Sequence, residues 1–201
     1  IRISQQLNRY DKMAEIKLKD GEIIALDGAE RVRSREAKGG YLYMLNNIVY
    51  KPMNLSSSVE HCFRNADINY GLPNVYLDVF NATFSFQTAN GMTRSEEATF
   101  IKMKRIDMSN SNNRFFQISH GGEANLRNFI NTESDKERLK RILRALCAAR
   151  ESKLKDPQGF YLSRGSDPIL FCDIHCGSTP PPEIEGLIEH TEHRMKDLFG
   201  N

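Results

Sequence analysis

Alternating apolar and polar positions indicate β-strands early in the chain. Residues 13–19 alternate, the dipeptide Asp20-Gly21 tolerates positive φ angles, and an apolar run over residues 23–26 follows. This order predicts a β-hairpin. Two further apolar runs, over residues 41–45 and 48–50, predict either a pair of strands or one bulged strand.

Three segments further along favour strands because β-branched and aromatic residues recur in them. They cover residues 74–88, 99–106 and 114–119. Residues 28–38 are rich in charge and predict a short helix or a loop. Serines that can cap a helix open residues 56–66, which predicts a short helix there.

The strongest helical pattern covers residues 135–153. Ser134 and Glu137 have the spacing of a capping box, in which each side chain satisfies an unpaired backbone N–H at the start of a helix. Apolar residues then recur at helical spacing, with Leu143 at the centre of the stripe: Leu139, Ile142, Leu143 and Leu146.

The remainder of the chain predicts a second hairpin and a last helix. The hairpin strands cover residues 160–162 and 169–176, and three prolines at 180–182 lead into a helix that continues to about Phe199. We therefore expect an α+β fold with a mainly antiparallel sheet. A single domain over residues 1–201 is the prediction, sheet-rich over 1–120 and helix-rich with a hairpin over 121–201.

Composition places the chain among ordinary globular proteins. It has 201 residues, with 28 Lys+Arg against 26 Asp+Glu, and 39% of its residues are apolar. These values exclude a disordered chain or a coiled coil, and the net charge of +2 gives no global argument for nucleic acid. No apolar run approaches the roughly 20 residues that a membrane-spanning helix needs. The chain opens at Ile1 without a methionine, so we expect a natural protein that begins earlier.

Four cysteines bear on the compartment and on a possible zinc site. They are too few and too uneven for a secreted disulfide framework, which predicts a reducing, cytoplasmic setting. Cys172, Cys176, His190 and His193 have zinc-like spacings. A strand over 169–176 would turn His175 away from both cysteines, and the last helix would turn both other histidines toward solvent. We expect two buried thiols, no metal and no cofactor.

Three residues are weak catalytic candidates. Asp173 and His175 would share one face of the strand, a spacing that suits general-base catalysis or a metal-dependent hydrolase or nuclease. His120 precedes Gly121 and Gly122 where a strand leads into a helix, so backbone N–H groups there could bind an anion. A glycine turn with a structural histidine is the simpler explanation of the second pattern.

The local distribution of positive charge carries the leading hypothesis. Lys140, Arg141 and Arg144 project away from the apolar stripe of their helix. On the predicted strand 99–106, alternation places Phe100, Lys102 and Lys104 on one face, where a ring and two ammonium groups could meet bases and phosphates. Solvated helix and strand faces would show the same patterns.

The last helix has the opposite charge, since residues 177–201 contain five acids and two bases. Oppositely charged helices can dock within one chain or between copies in an oligomer. We therefore expect a protein without catalysis of its own that binds RNA or DNA phosphates through Lys140, Arg141 and Arg144, helped by Lys102 and Lys104. The alternatives are an assembly subunit or adaptor with a protein partner, and the hydrolase centred on Asp173 and His175. No membrane partner is expected.

Overall fold

A computed structural model describes residues 14–35, 37–55, 61–62, 65–88, 90–172 and 174–200. The chain divides into two compact units, Ile1–Ser56 with Tyr76–Arg105 and Ser57–Val75 with Ile106–Asn201. Both sheets are antiparallel, and the described α-helices of more than ten residues lie after residue 121, which confirms the α+β class. Among the described residues, no helix has both the length and the apolar character needed to cross a bilayer.

The first unit is one curled antiparallel sheet of seven strands in the order β2-β1-β6-β7-β5-β4-β3. Its strands are β1 Glu15–Lys17, β2 Ile23–Ala25, β3 Glu30–Arg33, β4 Tyr41–Leu45, β5 Ile48–Met53, β6 Tyr76–Gln87 and β7 Thr93–Lys104. The predicted hairpin is confirmed as β1–β2, and of the two alternatives for residues 41–50 the pair of strands is confirmed as β4–β5.

Turn residues explain how the two hairpins close. The Asp20 carboxylate accepts a hydrogen bond of 3.0 Å from the Glu22 backbone N–H, and Gly21 takes a φ of 92°. Between β4 and β5, Asn46 takes a φ of 55°, which asparagine tolerates better than most residues. Polar turn residues therefore set the register of both hairpins.

Aromatic rings fill the core of the first unit. The Phe84 ring lies edge-on to Tyr43 at 5.6 Å and to Phe100 at 5.5 Å between centroids. Ile16 packs in the same cluster and is fully buried. Apolar side chains from β1, β4, β6 and β7 thus meet on one face of the sheet.

The charge-rich residues 28–38 differ from the prediction of a helix or loop. They contain strand β3, whose Val32 lies opposite Leu42 of β4, and a 3-10 turn at Lys38–Gly40 follows. Because β3 is an edge strand, three of its four residues face solvent, and charged residues suit such an edge. The high charge reflects the edge position and not the absence of a strand.

Within the part of the chain that the structure describes, the second unit combines a small sheet with three α-helices of more than ten residues. The strands, in the order β10-β9-β8, are β8 Arg114–Gln117, β9 Gln158–Tyr161 and β10 Ile169–Cys172. The helices are α1 Gly122–Thr132, α2 Lys136–Glu151 and α3 Pro182–Phe199. The predicted helix over 56–66 falls mostly outside the described residues, and Asn65–Asn69 is one π-helical turn.

Helix α2 differs from the prediction in its cap and in the centre of its stripe. Asp135, not Ser134, is the N-cap, and its carboxylate accepts a 2.9 Å hydrogen bond from the Arg138 backbone N–H. Leu143 is only partly buried. The fully buried stripe lies one row to the side, at Leu139, Ile142, Ala145, Leu146 and Ala149.

Helices α2 and α3 pack against each other within the unit, as their opposite charges allow. Arg150 near the end of α2 contacts Glu185 near the start of α3 at 3.2 Å. At the other end, the Lys136 ammonium lies 5.2 Å from the centroid of the Phe199 ring. The two helices are therefore antiparallel. An ion pair at one end and a cation–π contact at the other support the apolar contact between them.

Candidate nucleic-acid interface

The exposed side of α2 carries the three predicted cations. Burial of Leu139, Ile142 and Leu146 fixes the rotation of the helix about its axis. Arg141 and Arg144 are consequently exposed, and Lys140 is half-buried. The structure therefore brings these three predicted site residues together on one helix.

Arg138 on the same helix has a different role from its neighbours. Its guanidinium donates to Glu133 Oε2 at 2.6 Å, to the Leu162 carbonyl at 2.6 Å and to the Gly165 carbonyl at 2.9 Å. Only 17% of the side chain is exposed. Arg138 thus fastens the loop between β9 and β10 to the start of α2, and little of it remains for a ligand.

Glu133 completes this fastening. Burial by itself would raise the pKa of Glu133, but hydrogen bonds from Arg138 and from the backbone N–H groups of Asp135 and Ser134, with the Arg138 charge, outweigh it. The pKa of Glu133 is therefore lower than its usual value. The carboxylate stays ionised and keeps its partner in place.

Arg141 and Lys140 each make one contact within the unit. The Arg141 guanidinium donates to the Ser166 carbonyl at 2.7 Å, on the same loop that Arg138 holds. Lys140 Nζ donates to Glu137 at 2.6 Å, and this bond, the Lys140 charge and the charge of Arg144 lower the pKa of Glu137. Arg141 and Lys140 keep further N–H donors, so neither contact uses up the side chain.

The loop beneath Arg138 and Arg141 adds a cation that the sequence reasoning missed. Arg164 is exposed in this loop. It lies between Leu162 and Gly165, whose carbonyl groups accept hydrogen bonds from Arg138 of α2. In the sequence, Arg164 lies in the turn Ser163-Arg164-Gly165 between two predicted strands, and turn residues usually lie at the protein surface.

The prediction for Phe100, Lys102 and Lys104 is wrong for the aromatic residue. Phe100 is fully buried and stacks on Phe80 at 5.6 Å between centroids. Residues Ala98 to Ile101 of β7 are all buried, so both faces of the strand are covered there and alternation marks no solvent face. Lys102 is half-buried opposite Asp78, and Lys104 is exposed at the end of β7. These lysines belong to the first unit, and the α2 cations to the second.

The prediction that Cys172 and Cys176 are buried is also wrong. Neither thiol is part of a disulfide, and both residues are only partly buried. Strand β10 ends at Cys172, so the expected alternation does not reach residue 176. Cys176 Sγ lies 3.9 Å from the Cys62 carbonyl oxygen.

The two histidines of α3 differ from each other. His193 is exposed, as expected, whereas His190 is partly buried with Nε2 2.8 Å from Asn131 Oδ1 of α1. Burial, then the charges of Arg127, His193 and Arg194, lower the pKa of His190. No three potential metal ligands cluster among the described residues.

The weak catalytic candidates do not form a described site. Asp173 lies outside the described residues, and His175 is exposed just beyond the end of β10. His120 closes a 3-10 turn, where its Nδ1 lies 2.8 Å from the Ser119 hydroxyl. The prediction of a hydrolase centred on Asp173 and His175 stays a prediction.

Chemically, the exposed side of α2 offers charged N–H donors of the kind that bind phosphate oxygens.

Comparisons of the chain with protein-family models, with curated proteins and with solved structures find no match.

Proposed function

We propose that this protein binds the phosphate backbone of RNA or DNA through Lys140, Arg141 and Arg144. The observation that carries the proposal is the placement of three cations, two exposed and one half-buried, on one side of a helix whose other side is fully buried. Backbone phosphates are recognised mainly by such arginine and lysine donors.

The stiffness of the surface supports the same proposal. Arg138 and Arg141 tie the loop 162–166 to α2 through three carbonyl groups. A surface that is ordered before binding loses less conformational entropy on binding. Arg164 in the loop adds a further exposed donor beside the helix.

The acidic residues near this surface offset only part of its charge. Glu137 is paired with Lys140, and Glu151 is paired with Arg150, which also contacts Glu185 of α3. After the hydrogen bond and charge of Lys140, the Arg144 charge also lowers the pKa of Glu137, and Arg144 remains exposed. Phosphates therefore meet a local excess of positive charge in spite of the near-neutral chain.

Charge reversal at two positions tests the proposal. The variant Lys140→Glu/Arg144→Glu leaves Arg141 in place, because Arg141 also holds Ser166 and its loss would disturb the loop. We expect affinity for an oligonucleotide of random sequence to fall at least about tenfold at roughly 50 mM salt. Fluorescence anisotropy of a labelled oligonucleotide measures this change.

A matched control has the same charge change in the first unit. Lys19→Glu/Arg33→Glu alters two exposed cations there and should leave the affinity within about twofold. Equal losses in both variants would mean that net charge alone drives binding. No binding by the unaltered protein at this salt concentration would refute the proposal.

A second candidate function is that of an assembly subunit. Ile68 is 68% exposed and Tyr70 is 42% exposed, two apolar side chains close together in the second unit. If they form a contact between copies, Ile68→Ser/Tyr70→Ser should shift sedimentation toward the monomer without loss of oligonucleotide binding. A single species with the mass of one chain at all concentrations would contradict this candidate.

A further inference from the structure

An exposed pair of phenylalanine rings lies on the small sheet of the second unit. Phe115 of β8 and Phe160 of β9 are direct cross-strand neighbours, with centroids 5.5 Å apart in an edge-to-face arrangement. Phe115 is 45% exposed and Phe160 is half-buried. Strand β8 is an edge strand, so the pair lies at the open side of the sheet.

This pair is not part of the core of the unit. The next residue, Phe116, points to the other face of the sheet, where it is 1% exposed and lies edge-on to the buried Phe171 at 5.9 Å. Phe116 and Phe171 therefore make their apolar contacts on the opposite face, while Leu170, the neighbour of Phe160 in β10, is buried on the same face as the pair. Phe115 has no comparable packing that would explain a phenylalanine at an exposed position.

Polar side chains flank the two rings on the same face. Gln117 and Gln158 are cross-strand neighbours one step along the strands, and the Gln117 amide N–H donates to Asp156 at 2.7 Å. Amide groups beside an aromatic surface can hydrogen-bond to the edges of a stacked base. The arrangement of aromatic rings with amides on a sheet face suits an unpaired nucleobase.

Cations lie close to the rings along the chain. Arg114, next to Phe115, is exposed. Asn113, one residue earlier, accepts a 3.2 Å hydrogen bond from the backbone N–H of Ser163, at the start of the loop that Arg141 contacts at Ser166. The path from the Arg141 guanidinium to the Phe115 backbone thus measures at most roughly 30 Å.

We infer that Phe115 and Phe160 form a stacking platform for an unpaired base of single-stranded RNA or DNA. The inference rests on the proposed function, since Arg164 and Arg141 would bind the phosphates of the same strand, whereas alternation along β8 places Arg114 on the face opposite the rings. Single-strand binding proteins combine a basic path for the backbone with aromatic side chains for the bases, over sites of about 4 to 16 nucleotides. The platform would therefore bind single-stranded and not duplex nucleic acid, because the bases of a duplex are already paired and stacked.

A tryptophan reporter tests this inference directly. The chain contains no tryptophan, so Phe115→Trp introduces a single indole whose fluorescence is quenched when a base stacks on it. We expect quenching by single-stranded RNA and DNA of about 12 nucleotides, and none by an abasic strand of equal length or by a blunt duplex. Anisotropy of the same labelled strands reports binding separately.

The outcomes separate this inference from the proposed function. Strands that bind by anisotropy without quenching, or equal quenching by the abasic strand, would refute the platform and leave phosphate binding intact. Quenching that persists with unchanged affinity in Lys140→Glu/Arg144→Glu would instead support the platform and refute the role of α2. No binding by any strand would refute both.

A truncation gives a second measurement that does not depend on the reporter. Phe115→Ala should weaken binding of the single strand about 5- to 150-fold, because stacking on an aromatic side chain contributes about 1 to 3 kcal/mol per base. Leu198→Ala is the matched control, since Leu198 is an apolar side chain of the same unit with 38% exposure. Equal affinities of the two variants would contradict the platform.

Discussion

Arg138 shows how one residue in a basic helix can serve the fold and not the ligand. Its planar guanidinium reaches Glu133 and two carbonyl groups of the following hairpin at once. The neighbouring cations, Lys140 and Arg144, have no such set of acceptors. Arg138 and Arg144 are therefore the same residue type in two different roles within two turns of one helix. The hydrogen-bond acceptors that surround Arg138 distinguish its role from that of Arg144.

Replacement of Arg138 by lysine should destabilise the protein. A lysine ammonium cannot match the fork that reaches three acceptors in different directions, so at least one partly buried acceptor would lose its partner. We expect the free energy of unfolding to fall by about 2 to 4 kcal/mol in denaturant titrations. Lys140→Gln, on the exposed side, should change it by less than about 0.5 kcal/mol. Equal effects would contradict the assignment of Arg138 to the fold.

The Glu133 carboxylate gives this fastening a pH dependence. Its pKa is lower in the folded protein than in the unfolded chain, where a glutamate titrates near pH 4.3. The stabilisation is therefore complete above that value and is lost as the pH falls through the folded pKa. Thermal unfolding of the unaltered protein and of Glu133→Gln should differ at pH 6, and the difference should shrink as the pH falls below the pKa of the unfolded chain. A difference that grows on acidification would contradict the assigned direction.

At the scale of elements, the buried stripe of α2 fixes which side of the helix faces solvent. Leu146 is fully buried, whereas Leu143 is only partly buried. Leu146→Ala should lower the free energy of unfolding by about 2 to 5 kcal/mol, because it leaves a cavity, and Leu143→Ala should cost clearly less. Denaturant titrations of the two variants measure this difference. The reverse order would mean that the helix is rotated and that Lys140 and Arg144 face elsewhere.

Local patterns predicted most of the elements for a physical reason. The hairpins β1–β2 and β4–β5 close through turn residues that adopt positive φ angles, which are visible in the sequence. The amphipathic spacing of α2 and the prolines before α3 are equally local. Where side chains within one element determine its conformation, the sequence is sufficient to predict that element.

The errors arose where burial depends on distant parts of the chain. Strand alternation places Phe100 on one face with Lys102 and Lys104, yet β7 is covered on both faces at Phe100. The end of β10 at Cys172 and the strand identity of β3 likewise depend on pairing with other strands. For the candidate site, the sequence identified the three cations of α2 but missed the exposed Phe115, because a strand of four residues carries little periodicity.

At the scale of the whole molecule, each unit contributes differently to the proposed function. The curled sheet of the first unit packs its aromatic rings inward and carries Lys102 and Lys104 near the end of β7. The second unit holds the cations of α2, Arg164 and the exposed Phe115. Both proposed activities, the binding of the nucleic-acid backbone and the stacking of a base, therefore belong to the second unit.

The salt dependence of single-strand binding tests the central claim most directly. Each phosphate contact that is lost lowers the steepness of log affinity against log salt by about 0.7 for single strands. We predict that Lys140→Gln and Arg144→Gln each reduce the slope by about this amount, and that Lys19→Gln in the first unit leaves it unchanged. Slopes that are the same for all four proteins, or no binding at any salt concentration, would contradict phosphate binding by α2.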